Sequence, residues 1–281
     1  MLARGTDLLA AEQAAGTAIA AFTVYTLESI RAVVDAAESC ERPVLMSVGA
    51  SSYRVTGARE LAAAALAAAE SASVQVGVHL DHCTDEAEIT RAVELGYSSV
   101  MYDGSALPFD ENVERTAAVV ARAHAEGVWV EGELGALAGD EDTSTGVAAR
   151  EMTNPLQAAE FALRTGVDAM AVAVGTVHGL SAVPMLVDLN RLAAIAAGTS
   201  TPLVLHGASG LPDNNLTAAV GAGVVKVNVN AELRNAHRAA LAEALSQDGD
   251  DLLRIQRTAV AAMTTVAAEK ITTLSREEQP T

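Results

Sequence analysis

Six histidines stand at positions 79, 82, 124, 178, 206 and 237, and three of them share one kind of position. His82, His178 and His206 lie at or just beyond the end of a short β-branched or apolar run that a polar turn follows. Three neutral imidazoles with a fourth position left open form the ligand set of a catalytic zinc ion, which acts as a Lewis acid. Asp81 precedes His82, so a ligand and an acid/base could face one substrate from one strand end. Asp103, Glu133, Asn228 and Asn230 also fall at strand ends. Gathering such groups without an ion or partners would carry a large burial cost, so the joint pattern reads as a shared metal or acid/base site. His79 lies inside its strand and reads as structural, while His124 and His237 lie on helical segments and read as surface or packing residues. The H-E-x-x-H zinc motif is absent.

Eight short strands are expected at 19–24, 43–49, 74–82, 98–104, 128–135, 169–176, 202–207 and 224–230. Each precedes a stretch with helical periodicity. Gly96, Gly127 and Gly166 are expected to stop helices, and Asp85, Asn154-Pro155 and Asp213 to stand near helix starts. That is the pattern of an α/β chain, a (β/α)8 TIM barrel occupying residues 1–281 as a single domain. An open doubly wound sheet is the competing architecture. Barrels carry their chemistry at the C-terminal ends of the strands, which is where the histidines above fall. The longest gap, between Gly135 and Asn154, follows strand five and holds an acidic stretch suited to an active-site loop.

The chain has 281 residues, 36 acidic and 18 basic side chains and a net charge of −18. Such a charge repels nucleic acid and anionic membranes, so a phosphorylated substrate needs local donors or a metal. Half of the residues are hydrophobic and 19% charged, which excludes a disordered chain. Neither a secretion signal nor a membrane span is legible. Cys40 and Cys83 form no C-x-x-C pair, and reduced thiols in a cytoplasmic protein are expected. His206-Gly-Ala-Ser-Gly210 leaves strand seven beside Asn228-Val-Asn-Ala231 at the end of strand eight, the loops that often hold phosphate in barrels.

Several long motifs, in order, resemble the class II, metal-dependent ketose-bisphosphate aldolases, the fructose- and tagatose-bisphosphate type. They are His79-Leu-Asp-His82, Ser99-Val-Met-Tyr-Asp-Gly-Ser105, Val130-Glu-Gly-Glu-Leu-Gly135, Val174-Gly-Thr-Val-His-Gly179, Leu203-Val-Leu-His-Gly-Ala-Ser-Gly-Leu211 and Lys226-Val-Asn-Val-Asn230. The resemblance implies that His82, His178 and His206 bind Zn2+ or another divalent cation, which stabilises the enediolate left by carbon–carbon cleavage. It implies Asp81 as the acid/base on the aldehyde side and Glu141 as the carbon acid/base. Glu133 and Asp103 match carboxylates that in some relatives engage a second or displaced ion. Gly179, Gly207, Ser209 and Asn228 correspond to the ketone-side phosphate contacts, with a monovalent cation nearby, and Ser47, Ala208 and Asn230 are the further expected substrate-binding residues. A homodimer or homotetramer is also implied.

Departures from the family pattern fall on the substrate side. Thr23 and Thr26 stand where Asn is usual, and Gly49 replaces a hydroxyl residue, with Ser47 two residues earlier on the same face. Ala231 replaces a Thr, and Leu180-Ser-Ala-Val-Pro184 replaces a Tyr-Lys-Gly segment. The expected function is reversible cleavage of a ketose (bis)phosphate to dihydroxyacetone phosphate and an aldehyde. The alternatives are the same chemistry on a different or non-phosphorylated ketose, and a non-catalytic metabolite-binding barrel. A Schiff-base mechanism would need a buried strand lysine, and the one candidate, Lys226, belongs to a matched motif.

Overall fold

Local side-chain chemistry sets where the helices begin. Thr26 Oγ1 accepts from the Ser29 backbone while Ser29 Oγ accepts from the Thr26 backbone, a capping box that satisfies two otherwise unbonded amides. Asp85 and Asn154 cap their helices through side-chain oxygens, as their positions suggest, and Pro155 fills the first helical position after Asn154. Asp213 is the first residue of its helix rather than the cap, a place held by Pro212. Gly96, Gly127 and Gly166 all adopt positive φ at helix ends, a conformation that glycine enters without steric cost.

The computed structural model describes residues 1–49, 52–135, 152–179, 185–248 and 251–275. Among the described residues are eight strands: β1 (Ile19–Thr23), β2 (Val44–Gly49), β3 (Val76–Cys83), β4 (Ser99–Tyr102), β5 (Trp129–Leu134), β6 (Ala169–Val172), β7 (Leu203–Leu205) and β8 (Val224–Val229). The helices are α1 (Asp7–Ala15), α2 (Leu27–Cys40), α3 (Tyr53–Thr56), α4 (Ala58–Ser71), α5 (Glu86–Glu94), α6 (Phe109–Ala125), α7 (Pro155–Thr165), α8 (Leu189–Gly198), α9 (Asp213–Gly221), α10 (Ala231–Asp248) and α11 (Leu252–Leu274). Each strand pairs in parallel with its chain neighbours, and β8 returns to β1, closing a (β/α)8 barrel. Closure excludes the open sheet.

Between strands and helices lies the larger apolar core, in which Ala32, Ala36, Ala62, Ala65 and Ala69 are almost fully buried. Small side chains let α2 and α4 lie close to the sheet, so a chain with few aromatics still packs densely. A second cluster fills the lower barrel and includes Ile19, Leu45, Met101, Trp129 and Val204. Leu8 and Leu9 of α1 belong to it, so this helix stoppers the N-terminal end. Sequence reading did not anticipate α1, because its two buried leucines are adjacent and show no helical stripe. At the other end of the chain, Leu274 O accepts from Ala18 N at 3.0 Å and ties α11 to β1. No helix among the described residues is long and apolar enough to cross a membrane.

Register stacks the upper interior in layers. Ser47 pairs with His79 and His79 with Ser99, while two residues further along Gly49 pairs with Asp81. The mouth therefore rests on a polar layer, and that layer rests on the apolar floor that α1 seals. Leu9→Ala should lower stability by about 2–5 kcal/mol through loss of buried volume. Chemical denaturation would measure this.

Candidate active site

Strict alternation along β3 would send Asp81 and His82 to opposite faces of the sheet. The register slips between Leu80 and Cys83, and His82 takes a left-handed backbone with φ +44. Both adjacent side chains consequently serve the mouth. A non-glycine residue in that region stores strain of about 1–3 kcal/mol, and neighbours hold it there: the His82 amide donates to Met101 Sδ at 3.4 Å. Asp81 is fully buried, and Asn228 Nδ2 donates to its two oxygens at 3.1 and 3.0 Å.

His206 and His178 come from the loops after β7 and β6, which touch through their backbones. A Cβ on Gly207 would lie 2.4 Å from Val177 O, and Gly207 itself has φ +64. Thr176 Oγ1 further donates to His206 O at 2.7 Å. The three imidazoles meet edge to face, with ring centres 4.7 Å apart for His82–His178 and 4.5 Å for His82–His206. One ring nitrogen from each of the three lies within 4.8 Å of the others. His82 also groups with Asp103 and Glu133 within the same limit.

Hydrogen bonding orients this cluster. Glu131 Oε1 lies 2.7 Å from His206 Nε2, and a carboxylate only accepts, so Nε2 carries the proton. His206 Nδ1 then offers its lone pair toward His82 Nε2, 2.7 Å away. A cation taking the place of the shared proton would be met by both nitrogens, so the donor set fits a divalent ion. Asp103 is held well below the usual carboxylate range: burial acts upward, but His82 and the two Ser105 hydrogen bonds at 3.0 and 2.6 Å outweigh it. Beneath, Lys226 Nζ donates to Glu131 Oε2 at 2.6 Å and lies 3.4 Å from His79 Nε2. Burial first, and then the Lys226 charge, keep the pKa of His79 well below the ordinary imidazole value.

The substrate-side residues are placed less uniformly. Ser209 Oγ accepts from Ala231 N at 3.1 Å, so the loops after β7 and β8 are clipped together where the lost Thr would stand. Glu232 Oε1 accepts from Gly210 N at 2.6 Å, which fastens the same turn to α10. Gly179 and Ala208 are buried. Asn230 faces Tyr25, whose hydroxyl lies 2.9 Å from its Nδ2, while Asn228 turns to Asp81. Ser47 is fully buried level with His79, not with Asp81, so register places it a layer below the mouth. Thr26 is occupied in capping α2. Glu141 and the segment 180–184 lie outside the described residues.

His82, His178, His206, Asp81, Asp103, Glu133 and Asn228 are thus brought together as their strand-end positions suggest. His79 is the buried structural group expected of it. Sequence reading missed Glu131, Thr176, Tyr25 and Glu232. Glu131 had a signal, since it stands two residues before Glu133 and therefore faces the same side of β5.

Comparison with known proteins shows the family. The model of the family described as fructose-bisphosphate aldolase class-II matches residues 3–279, and the chain belongs to that family. Membership makes it a metal-dependent ketose-bisphosphate aldolase, a carbon–carbon lyase. The chain is 40% identical over 246 residues to the D-tagatose-1,6-bisphosphate aldolase subunit GatY of Klebsiella oxytoca, covering 87% of this chain and 86% of that one. The crystal structure of the YdjI aldolase from Escherichia coli K12 superimposes with a TM-score of 0.87 at 32% identity, over 98% of this chain and 97% of that one. Fructose-bisphosphate aldolase from Campylobacter jejuni shares the fold, with a TM-score of 0.81 at 21% identity over 97% and 95% of the two chains.

Two outcomes follow from the geometry. Gly207→Ala places a side chain against the Val177 backbone and in a left-handed conformation costing about 1–3 kcal/mol. It should lower both the melting temperature and the divalent-metal content of the purified protein; wild-type values for both would contradict the backbone contact. His79 is neutral when folded, whereas its unfolded pKa is about 6.5. As pH falls below that value only the unfolded chain gains this proton, so His79 favours folding above it and the advantage is lost on acidification. Denaturation at about pH 7.5 and about pH 5.5 should show wild type losing more stability than His79→Gln; equal losses would refute the assignment.

Proposed function

We propose that the chain catalyses reversible aldol cleavage of a ketose bisphosphate to dihydroxyacetone phosphate and an aldehyde. The observation that carries this reading is the convergence of three imidazoles beside a buried carboxylate that Asn228 orients. His82, His178 and His206 would hold Zn2+, which three nitrogen donors suit. Bound there, the ion supplies Lewis-acid stabilisation of the negative charge that develops on the ketone side.

Asp81 takes the proton from the hydroxyl on the aldehyde-side carbon. That carbon becomes a carbonyl as the carbon–carbon bond breaks, and the bonding pair passes to the ketone-side carbon. Glu141 is the proposed acid that protonates this carbon. Asn228 holds the Asp81 carboxylate by two hydrogen bonds, so it is aimed before substrate arrives. Gly179, Gly207, Ala208 and Ser209 are the proposed cradle of the ketone-side phosphate, with a monovalent cation beside it; Asn230 completes the rim. Asp103 and Glu133 are proposed, with His82, as a second resting position for the ion. A cytoplasmic homodimer or homotetramer is the proposed working form.

The 40% identity to a tagatose-bisphosphate aldolase subunit makes D-tagatose 1,6-bisphosphate the first substrate to assay. Fructose 1,6-bisphosphate, ketose monophosphates and free ketoses complete the panel. Asp81→Asn should retain zinc but lose cleavage by about 10²–10⁴-fold, the usual worth of a positioned acid/base. An unchanged kcat would remove Asp81 from that role, and equal turnover of free and phosphorylated sugars would remove the phosphate cradle.

A further inference from the structure

Three fully buried side chains continue the metal-facing cluster downward and are absent from the proposed reaction: Glu131, Lys226 and His79. We infer that Glu131, held by Lys226, is a positioning residue that fixes which nitrogen of His206 faces the ion and thereby sets the affinity of the site. The inference rests on the reading of His206 as an ion ligand.

The chain of contacts leaves little freedom. Glu131 Oε1 is 2.7 Å from His206 Nε2, and Oε2 accepts from Lys226 Nζ at 2.6 Å. Both carboxylate oxygens are therefore engaged, one by each partner. With its proton held on Nε2, His206 must present Nδ1 as a lone pair. The Asn228 contact agrees, since its Nδ2 approaches that Nδ1 at 3.3 Å and an amide nitrogen only donates; His82 Nε2 faces the same atom at 2.7 Å. A proton on Nδ1 instead would meet the Asn228 amide hydrogens and block one of the three ligand positions.

Lys226 completes the device. A buried carboxylate needs a compensating charge, and Lys226 supplies it from the opposite side of the barrel. On its other flank Lys226 meets His79 Nε2 at 3.4 Å, and His79 Nδ1 lies 2.9 Å from Ser99 Oγ. The His79 ring in turn stacks on Trp129 at 5.3 Å. The pair thus ties the ligand to strands β5 and β8 of the barrel wall and not to a loop. Partners of this kind commonly change metal affinity by about 10–100-fold when removed.

A purely structural pair would only need its two charges to cancel, and this difference makes the test. In Glu131→Met/Lys226→Met both charges are removed together and the interior stays filled. Zinc affinity of the full chain is measured by chelator competition, with zinc alone as the probe, beside His206→Ala. The expected result is a folded double variant whose zinc affinity is lower by about 10–100-fold. Wild-type affinity in the double variant, with affinity lost in His206→Ala, would overturn the positioning role while leaving His206 a ligand. Unchanged affinity in His206→Ala would instead overturn the ligand reading and this inference with it. Imidazole nitrogen NMR of the metal-free wild type needs no folded variant: the His206 proton should sit on Nε2, and a proton on Nδ1 refutes the inference.

Discussion

The mouth of the barrel depends on the buried contacts between Lys226, Glu131 and His206. A lysine and a glutamate without exposed surface are stable there only because each compensates the other, and the desolvation cost of the pair is repaid only if hydrogen bonds use the remaining valences. His206 uses the second oxygen of Glu131, so charge balance in the interior and ligand orientation at the rim rest on one carboxylate. The floor sealed by α1 keeps water from entering beneath this layer, which maintains the low-dielectric setting that makes such contacts strong.

Above that layer, proximity is achieved by backbone geometry. Val177 and Gly207 approach closely enough to exclude any side chain at position 207, which draws the loops carrying His178 and His206 together. On the opposite wall, the left-handed turn at His82 accepts strain in order to bring its ring and the Asp81 carboxylate to the same cavity. Strain concentrated at a functional position and held by surrounding contacts is the pattern expected of a preorganised site.

The net charge of −18 describes the surface more than the site. Asp81, Asp103 and Glu131 each have polar or cationic neighbours in or just beneath the mouth, and several arginines pair with acidic residues on the outer helices, as in Arg122–Glu86 and Arg164–Asp110. The global field therefore disfavours polyanions, while a divalent ion would reverse the sign of the field locally. The turn after β7 is itself fastened through Ser209 and Glu232, and Lys270 pairs with Glu232 at 3.1 Å.

Periodicity and turn chemistry are local properties, and from them the sequence by itself determined the eight strand–helix units, the caps at Asp85 and Asn154, and the strand-end positions of His82, His178 and His206. Those positions became neighbours only when β8 closed on β1. Whether Glu131 meets Lys226 and His206 depends on which residues face inward at one level of the barrel, and that follows from register, which no single strand encodes. Tertiary structure alone likewise decided that Ser47 lies beside His79 and that α1 closes the floor. The physical reason is common to both: each is set by a partner distant in the chain, which leaves no periodic trace in the residues themselves.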